Sequence, residues 1–227
     1  PIIMAPMFLV SNAKMLIAAG NNGITGAVPA LNYRTDEAFR EAIEEIRANT
    51  DGPFGVNLIV NKSNPKMPAQ LKTCVEMGVD YIITSLGSPA EVIRQCKPKG
   101  IKVFCDVVDL KFALKVQKLG ADAVIAVNKE AGGHAGPTSR EELIPLLVEK
   151  CDIPVISAGG VGNYNELQDV LALGACGASV GSVFIASNES DVSNEYKQAC
   201  VDYGAKDIVI STKVSGTPCT AITTPYV

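Results

Sequence analysis

The only histidine, His134, stands in the segment Asn128-Lys129-Glu130-Ala131-Gly132-Gly133-His134-Ala135-Gly136-Pro137, bracketed by three glycines. An imidazole exchanges its proton near neutral pH, so on a glycine loop it suits acid/base work or contact with an anion; the alternative is a structural hydrogen bond. Two further glycine loops follow, Ser157-Ala158-Gly159-Gly160-Val161-Gly162 and Ser179-Val180-Gly181-Ser182. Each offers backbone N–H groups that small residues leave open to phosphate oxygens, although a lone glycine there would equally serve a tight turn. Two such loops in succession predict a phosphate site. Smaller signals are Ala5-Pro6-Met7 and the amide Asn57 inside the apolar run Gly55-Val56-Asn57-Leu58, a placement that demands a hydrogen-bond partner in the protein or a ligand. Thr84-Ser85, Asp106 and Asp109 complete the set; Asp106 is suited to accept from a ligand hydroxyl or ring N–H, but a solvated or helix-capping carboxylate is the plainer expectation.

These residues fall at the ends of short apolar runs that alternate with amphipathic stretches along the whole chain. The runs are Ile2 to Met4, Gly23 to Val28, Phe54 to Val60, Tyr81 to Ser85, Lys102 to Val108, Ala123 to Val127, Pro154 to Ala158 and Gly177 to Ile185. Nearly continuous apolar character without polar alternation marks parallel strands buried on both faces. The helical stretches between them are Asn12 to Ala19, Thr35 to Asn49, Pro68 to Met77, Pro89 to Lys97, Leu110 to Leu119, Ser139 to Cys151 and Tyr164 to Leu173. Thr35 caps the second, whose inward stripe is predicted to be Ala38, Ala42, Ile43 and Ile46, and Gly20, Gly78, Gly100, Gly120 and Gly174 read as helix stops. Eight regular βα units predict a closed (β/α)8 TIM barrel of parallel strands, with working residues at the C-terminal strand ends.

The chain has 227 residues, 24 acidic and 20 basic, with a formal charge of −4 and no basic run, which excludes a nucleic-acid or membrane-surface partner recognised by bulk charge. Seven scattered cysteines without a CxxC pair read as reduced thiols of a cytoplasmic protein. No metal-ligand cluster and no GxGxxG fingerprint is present, and no apolar run reaches the ~20 residues of a membrane span. The chain reads as one domain, residues 1–227, with all barrel strands within 1–185 and a last helix and closing segment in 186–227. Pro1 in place of Met, and an end at Val227, suggest a trimmed chain.

In order, Pro1-Ile2-Ile3-Met4-Ala5-Pro6-Met7, Pro53-Phe54-Gly55-Val56-Asn57, Gly120-Ala121-Asp122-Ala123-Val124, Glu130-Ala131-Gly132-Gly133-His134-Ala135-Gly136, Pro154-Val155-Ile156-Ser157-Ala158-Gly159-Gly160-Val161 and Val180-Gly181-Ser182-Val183-Phe184 resemble the nitronate monooxygenase (2-nitropropane dioxygenase) family. Val214-Ser215-Gly216-Thr217-Pro218 is similar to its closing Ser-Gly-x-Pro segment, whereas Gly181-Ser182 replaces the usual Gly-Thr and Cys219-Thr220 stands where many relatives carry Arg. The resemblance implies non-covalent FMN at the barrel mouth. Ala5, Pro6 and Met7 would line the flavin ring, Asn57 would touch the flavin or its ribityl chain, and Gly132 and Gly133 would pass near the ring. The phosphate would sit on the loops of Gly159, Gly160, Ser179, Val180, Gly181 and Ser182. His134 would face the substrate, an alkyl nitronate or nitroalkane oxidised with O2, as base or as hydrogen-bond donor to the nitro group.

Two other enzymes fit the same motifs: the flavin-dependent enoyl-acyl-carrier-protein reductases and the quinone reductases, both of which draw hydride from NAD(P)H. Ala5-Pro6-Met7 leans toward the nitronate enzymes, since the reductases more often carry Gly-Gly-Met there. A non-catalytic barrel binding FMN or a phosphorylated ligand would have no use for His134. The sequence leaves a homodimer open.

Overall fold

The computed structural model describes residues 1–213 and 218–223. Eight strands, β1 (Ile2–Met4), β2 (Thr25–Pro29), β3 (Phe54–Ile59), β4 (Tyr81–Ser85), β5 (Lys102–Val107), β6 (Ala123–Val127), β7 (Val155–Ala158) and β8 (Gly177–Val180), pair in parallel in chain order. The barrel closes between β8 and β1, where Ile3 lies opposite Ser179. The predicted (β/α)8 barrel is therefore the fold. Outside it run α1 (Ala13–Asn21), α2 (Asp36–Asn49), α3 (Met67–Met77), α4 (Ala90–Cys96), α5 (Leu110–Leu119), α6 (Arg140–Lys150) and α7 (Tyr164–Ala172). A short α8 (Ser182–Ile185), α9 (Asn194–Asp202) and an antiparallel hairpin of β9 (Ile208–Ser211) and β10 (Cys219–Ile222) follow. Among the described residues no helix is long and apolar enough to cross a membrane.

Alternation along the strands divides the core. Ile3, Ala27, Tyr81, Ile83, Ala123, Ile125 and Ile156 fill the barrel, with Phe104, Val127 and Ala158 packed on them. The intervening residues, such as Val56, Ile82, Val103 and Val124, meet the helices. Low in the barrel, Tyr81 donates to the Gly26 carbonyl at 2.8 Å and stacks on Phe104 at 5.0 Å between ring centroids. Gly55 is glycine because a Cβ there would run into the Tyr81 ring. Asn12, Thr35, Asp109 and Asn163 each accept a backbone N–H at the start of α1, α2, α5 and α7, which satisfies donors that a helix start otherwise orphans.

Three local expectations are corrected. The eighth apolar run does not stay extended to Ile185: β8 ends at Val180 and Ser182–Ile185 turns into helix, because Gly181 breaks the strand and the following residues are shared with a βα turn. Gly20 does not stop α1 but lies inside it; a Cβ there would collide with the Thr50 side chain, so close packing and not positive φ requires the glycine. On α2 the buried stripe is Phe39, Ala42, Ile43 and Ile46, with Phe39 stacked on Tyr33 and Ala38 only half-buried.

Candidate active site

At the C-terminal ends of the strands, the loops after β1, β6, β7 and β8 form one surface. Ala5 donates its N–H to the Val180 carbonyl at 2.8 Å, and a Cβ on Gly181 would lie 3.5 Å from both Ala5 Cβ and Met7 Sδ. The Ala5-Pro6-Met7 turn thus abuts the Gly181-Ser182 turn. It is held from behind by Ser11, whose hydroxyl accepts the Met7 N–H at 2.9 Å, and by Asn32, whose amide donates to the Met7 and Ser11 carbonyls. Gly132 approaches Ser182 closely enough that a Cβ would stand 3.1 Å from its hydroxyl.

Asn128, which local sequence did not single out, ties the loop after β6 to the loop after β7. It is fully buried. Its side-chain N–H donates to the Gly159 carbonyl at 3.1 Å, its side-chain oxygen accepts the Glu130 N–H at 2.8 Å, and its own carbonyl accepts from Ala131 and Gly136. Gly159 adopts φ +114° and Gly160 φ +73°; a Cβ on Gly159 would overlap the Asn128 amide and the Ala131 backbone, and one on Gly160 the Glu130 carboxylate. Arg140 balances that carboxylate, at 3.6 Å, and donates to the Gly160 carbonyl at 2.8 Å. The only sequence signal for Asn128 was a polar residue directly after a strand.

A phosphate needs N–H groups that are not already used. None of the backbone N–H groups of Gly160, Val161, Gly181 and Ser182 donates to another described residue, whereas that of Gly162 is taken by Glu166 at 2.6 Å. The two neighbouring loop ends therefore fit an anion. Ser179 and Val180 lie below, buried within β8, with the Val180 side chain turned to the helix layer.

The exposed His134 stands beside this cradle, and the hairpin orients its loop through the backbone. Thr220 donates its N–H to the Gly133 carbonyl at 2.9 Å and accepts the Gly133 N–H on its hydroxyl at 2.8 Å; Cys219 pairs with His134 as a single antiparallel bridge. The Gly-Gly-His loop thus adds a third edge to the β9–β10 hairpin. Thr220 thereby holds the Gly133 backbone through both its N–H and its hydroxyl. Of the closing Val214-Ser215-Gly216-Thr217-Pro218 segment, residues 214–217 lie outside the described residues.

Across the mouth, interior-facing positions of β3, β4 and β5 carry a hydrogen-bonded polar row. The Asn57 amide donates to the Ile83 carbonyl at 3.1 Å and to the Ser85 hydroxyl at 2.7 Å, and Ser85 donates to Asp106 Oδ2 at 2.5 Å. Asp106 is therefore neither solvated nor a helix cap; the cap of α5 is Asp109, which accepts the Phe112 N–H at 2.7 Å. Burial pushes the Asp106 carboxyl up to about 6, against the opposing pull of the Ser85 hydrogen bond.

A carboxyl whose pKa is raised by folding binds more protons in the folded state between about pH 4 and 6, so it costs stability as pH rises through that window. Asp106→Asn is accordingly expected to be more stable than the parent at pH 7.5 by about 1–3 kcal/mol, a gap that closes toward pH 4. Urea unfolding at both pH values checks this; a gap independent of pH would remove the assigned cause. At the opposite end of the barrel, a cleft of about 450 Å³ lined by Lys97, Lys102, Gln117, Gly120 and Asp122 has no contact with this mouth.

An eight-stranded parallel barrel with an anion cradle after β7 and β8 and a histidine loop after β6 defines a (β/α)8 protein with its site at the C-terminal mouth. The profile of the nitronate monooxygenase family matches residues 1–227, and the chain belongs to that family. It is 31% identical, over all of its length and 64% of the relative's, to a (3aS,4S,5R,7aS)-5-hydroxy-7a-methyl-1-oxo-octahydro-1H-indene-4-carboxyl-CoA dehydrogenase of Rhodococcus jostii. A nitronate monooxygenase of Paraburkholderia phytofirmans is 29% identical, over 95% of this chain and 71% of the relative. Among solved structures, FabK from Thermotoga maritima superposes with a TM-score of 0.93 at 34% identity, covering 100% of this chain and 72% of that one. A nitroalkane oxidase from Streptomyces ansochromogenes does so with a TM-score of 0.92 at 26% identity, covering 100% and 77%. The chain thus spans slightly under two thirds of the length of the CoA dehydrogenase relative.

Proposed function

We propose that residues 1–227 act as one FMN-binding barrel domain that oxidises alkyl nitronates with O2. The observation that carries this reading is the juxtaposition of unused N–H groups on the loops of Gly160 and Gly181-Ser182 with the Gly-Gly-His loop, in a chain of the nitronate monooxygenase family. Gly159, Gly160, Gly181 and Ser182 would hold the phosphate, and Ala5, Pro6, Met7, Asn57, Gly132 and Gly133 would surround the ring. Bound FMN supplies the electron-accepting chemistry, which no side chain of the protein has. His134 donates a hydrogen bond to the nitro oxygens of a nitronate, where negative charge concentrates. With a neutral nitroalkane it accepts the α-proton at an imidazole nitrogen instead. The Arg140–Glu130 pair would steady this loop, since Arg140 occupies the Gly160 carbonyl as a donor.

The 34% identity to FabK favours a second reading, an NAD(P)H-dependent flavin reductase. Purified protein is expected to be yellow and to release FMN on denaturation. Aerobic ethyl nitronate should then be consumed with O2 uptake, while anaerobic NAD(P)H should leave the flavin absorbance unchanged. Bleaching by NAD(P)H without nitronate turnover moves the assignment to the reductase; a colourless protein that takes up no FMN overturns both.

A further inference from the structure

The two sides of the barrel mouth are chemically opposite. After β7 and β8 the available groups are N–H donors. On β3 to β5, two to four strands from β7 and β8 around the closed barrel, the available groups are acceptors: neither Asn57 Oδ1 nor Asp106 Oδ1 receives a hydrogen bond from a described residue. Interior positions on the same and neighbouring strands, Ile83, Ile125 and Val127, are apolar. A carboxyl set into such surroundings is costly unless it is partnered, and Ser85 partners only one of its oxygens. That oxygen is also the one that fixes the orientation, because Ser85 is itself held by Asn57. Asp106 is thus pinned through Oδ2, while no described residue donates to Oδ1. A ligand that fits both sides carries an anion at one end and a polarised N–H donor at the other.

We propose that Asp106 accepts the imide N–H of the flavin ring, with Ser85 and Asn57 as the residues that position it. This rests on the FMN reading above and extends it to the recognition of the ring edge. The carboxylate is the dominant form at pH 7.5, given the position of its titration near 6, so the bond is charge-assisted. Hydrogen bonds to charged groups carry enough free energy to change affinity roughly ten- to hundredfold.

The test is titration of flavin-freed full chain with FMN and with N3-methyl-FMN, which lacks that N–H, followed by quenching of flavin fluorescence at pH 7.5. The parent protein should prefer FMN roughly ten- to hundredfold. Asp106→Ala should bind FMN more weakly by a similar factor and no longer distinguish the two flavins, and Asp106→Asn, which keeps an acceptor oxygen, should recover part of both. Far-UV circular dichroism verifies that each variant is folded, which the removal of a costly buried carboxyl favours. Equal affinity of Asp106→Ala and parent for FMN, or a parent that does not distinguish the two flavins, overturns the proposal and leaves the FMN reading intact. A parent that binds neither flavin overturns the FMN reading itself, and this assignment with it.

Discussion

Replacing His134 by alanine is expected to leave FMN bound and to lower the turnover of ethyl nitronate by a factor on the order of 10² to 10⁴, the range for loss of a positioned proton-transfer or hydrogen-bonding group. Retention of the flavin follows from how the loop is held. Gly133 is tied to Thr220 by both its N–H and its carbonyl, Asn128 fastens the loop's other end, and none of these bonds uses the imidazole. The chain has no second histidine to substitute for the loss. The flavin-to-protein absorbance ratio and the steady-state rate, measured on one preparation, separate the two effects. A variant that oxidises nitronate at the parent rate removes His134 from the chemistry, and one that loses its flavin makes it a structural residue.

Gly159→Ala should be strongly damaging, with a loss of about 2–4 kcal/mol in stability and of measurable FMN binding. Two costs combine. At φ +114° an L-residue is strained, and its Cβ would occupy space already held by the Asn128 amide and the Ala131 backbone. Relief requires the β6 and β7 loops to separate, which breaks the Asn128 to Gly159 hydrogen bond and turns the Gly160 N–H away from the cradle. Gly78→Ala is the internal comparison: it also has positive φ, +64°, but its Cβ would meet nothing within 4 Å. That change should cost only about 1 kcal/mol and leave FMN affinity unaltered. Urea unfolding and FMN titration of both variants decide it; similar behaviour of the two would mean that backbone strain alone, and not the interlocked loops, governs position 159.

The barrel was legible because its signals are local. A strand covered on both faces must be apolar throughout, so the eight runs from Ile2-Ile3-Met4 onward could be counted without knowing what they touch, and the caps at Thr35 and Asp109 act within three residues. The glycine loops after β6, β7 and β8 were readable for the same reason. Asp106 was misjudged because its environment is made by Ser85 on the neighbouring strand and by the apolar interior, neither of which is adjacent in sequence. Gly20 was misread as a helix stop because the constraint on it comes from Thr50.

The chain's own order of residues determined the family, the parallel barrel and the set of loops that could carry an anion and a proton-active group. Tertiary structure decided which of those groups act together. It brought Thr220 and Cys219 onto the Gly133-His134 loop from more than eighty positions away, locked the β6 and β7 loops through Asn128, and set Asp106 at the same barrel mouth as the loops after β7 and β8, with one carboxylate oxygen held by Ser85. Periodicity and capping are properties of neighbouring residues, whereas a site is a meeting of strand ends, and only closure of the barrel sets which ends meet.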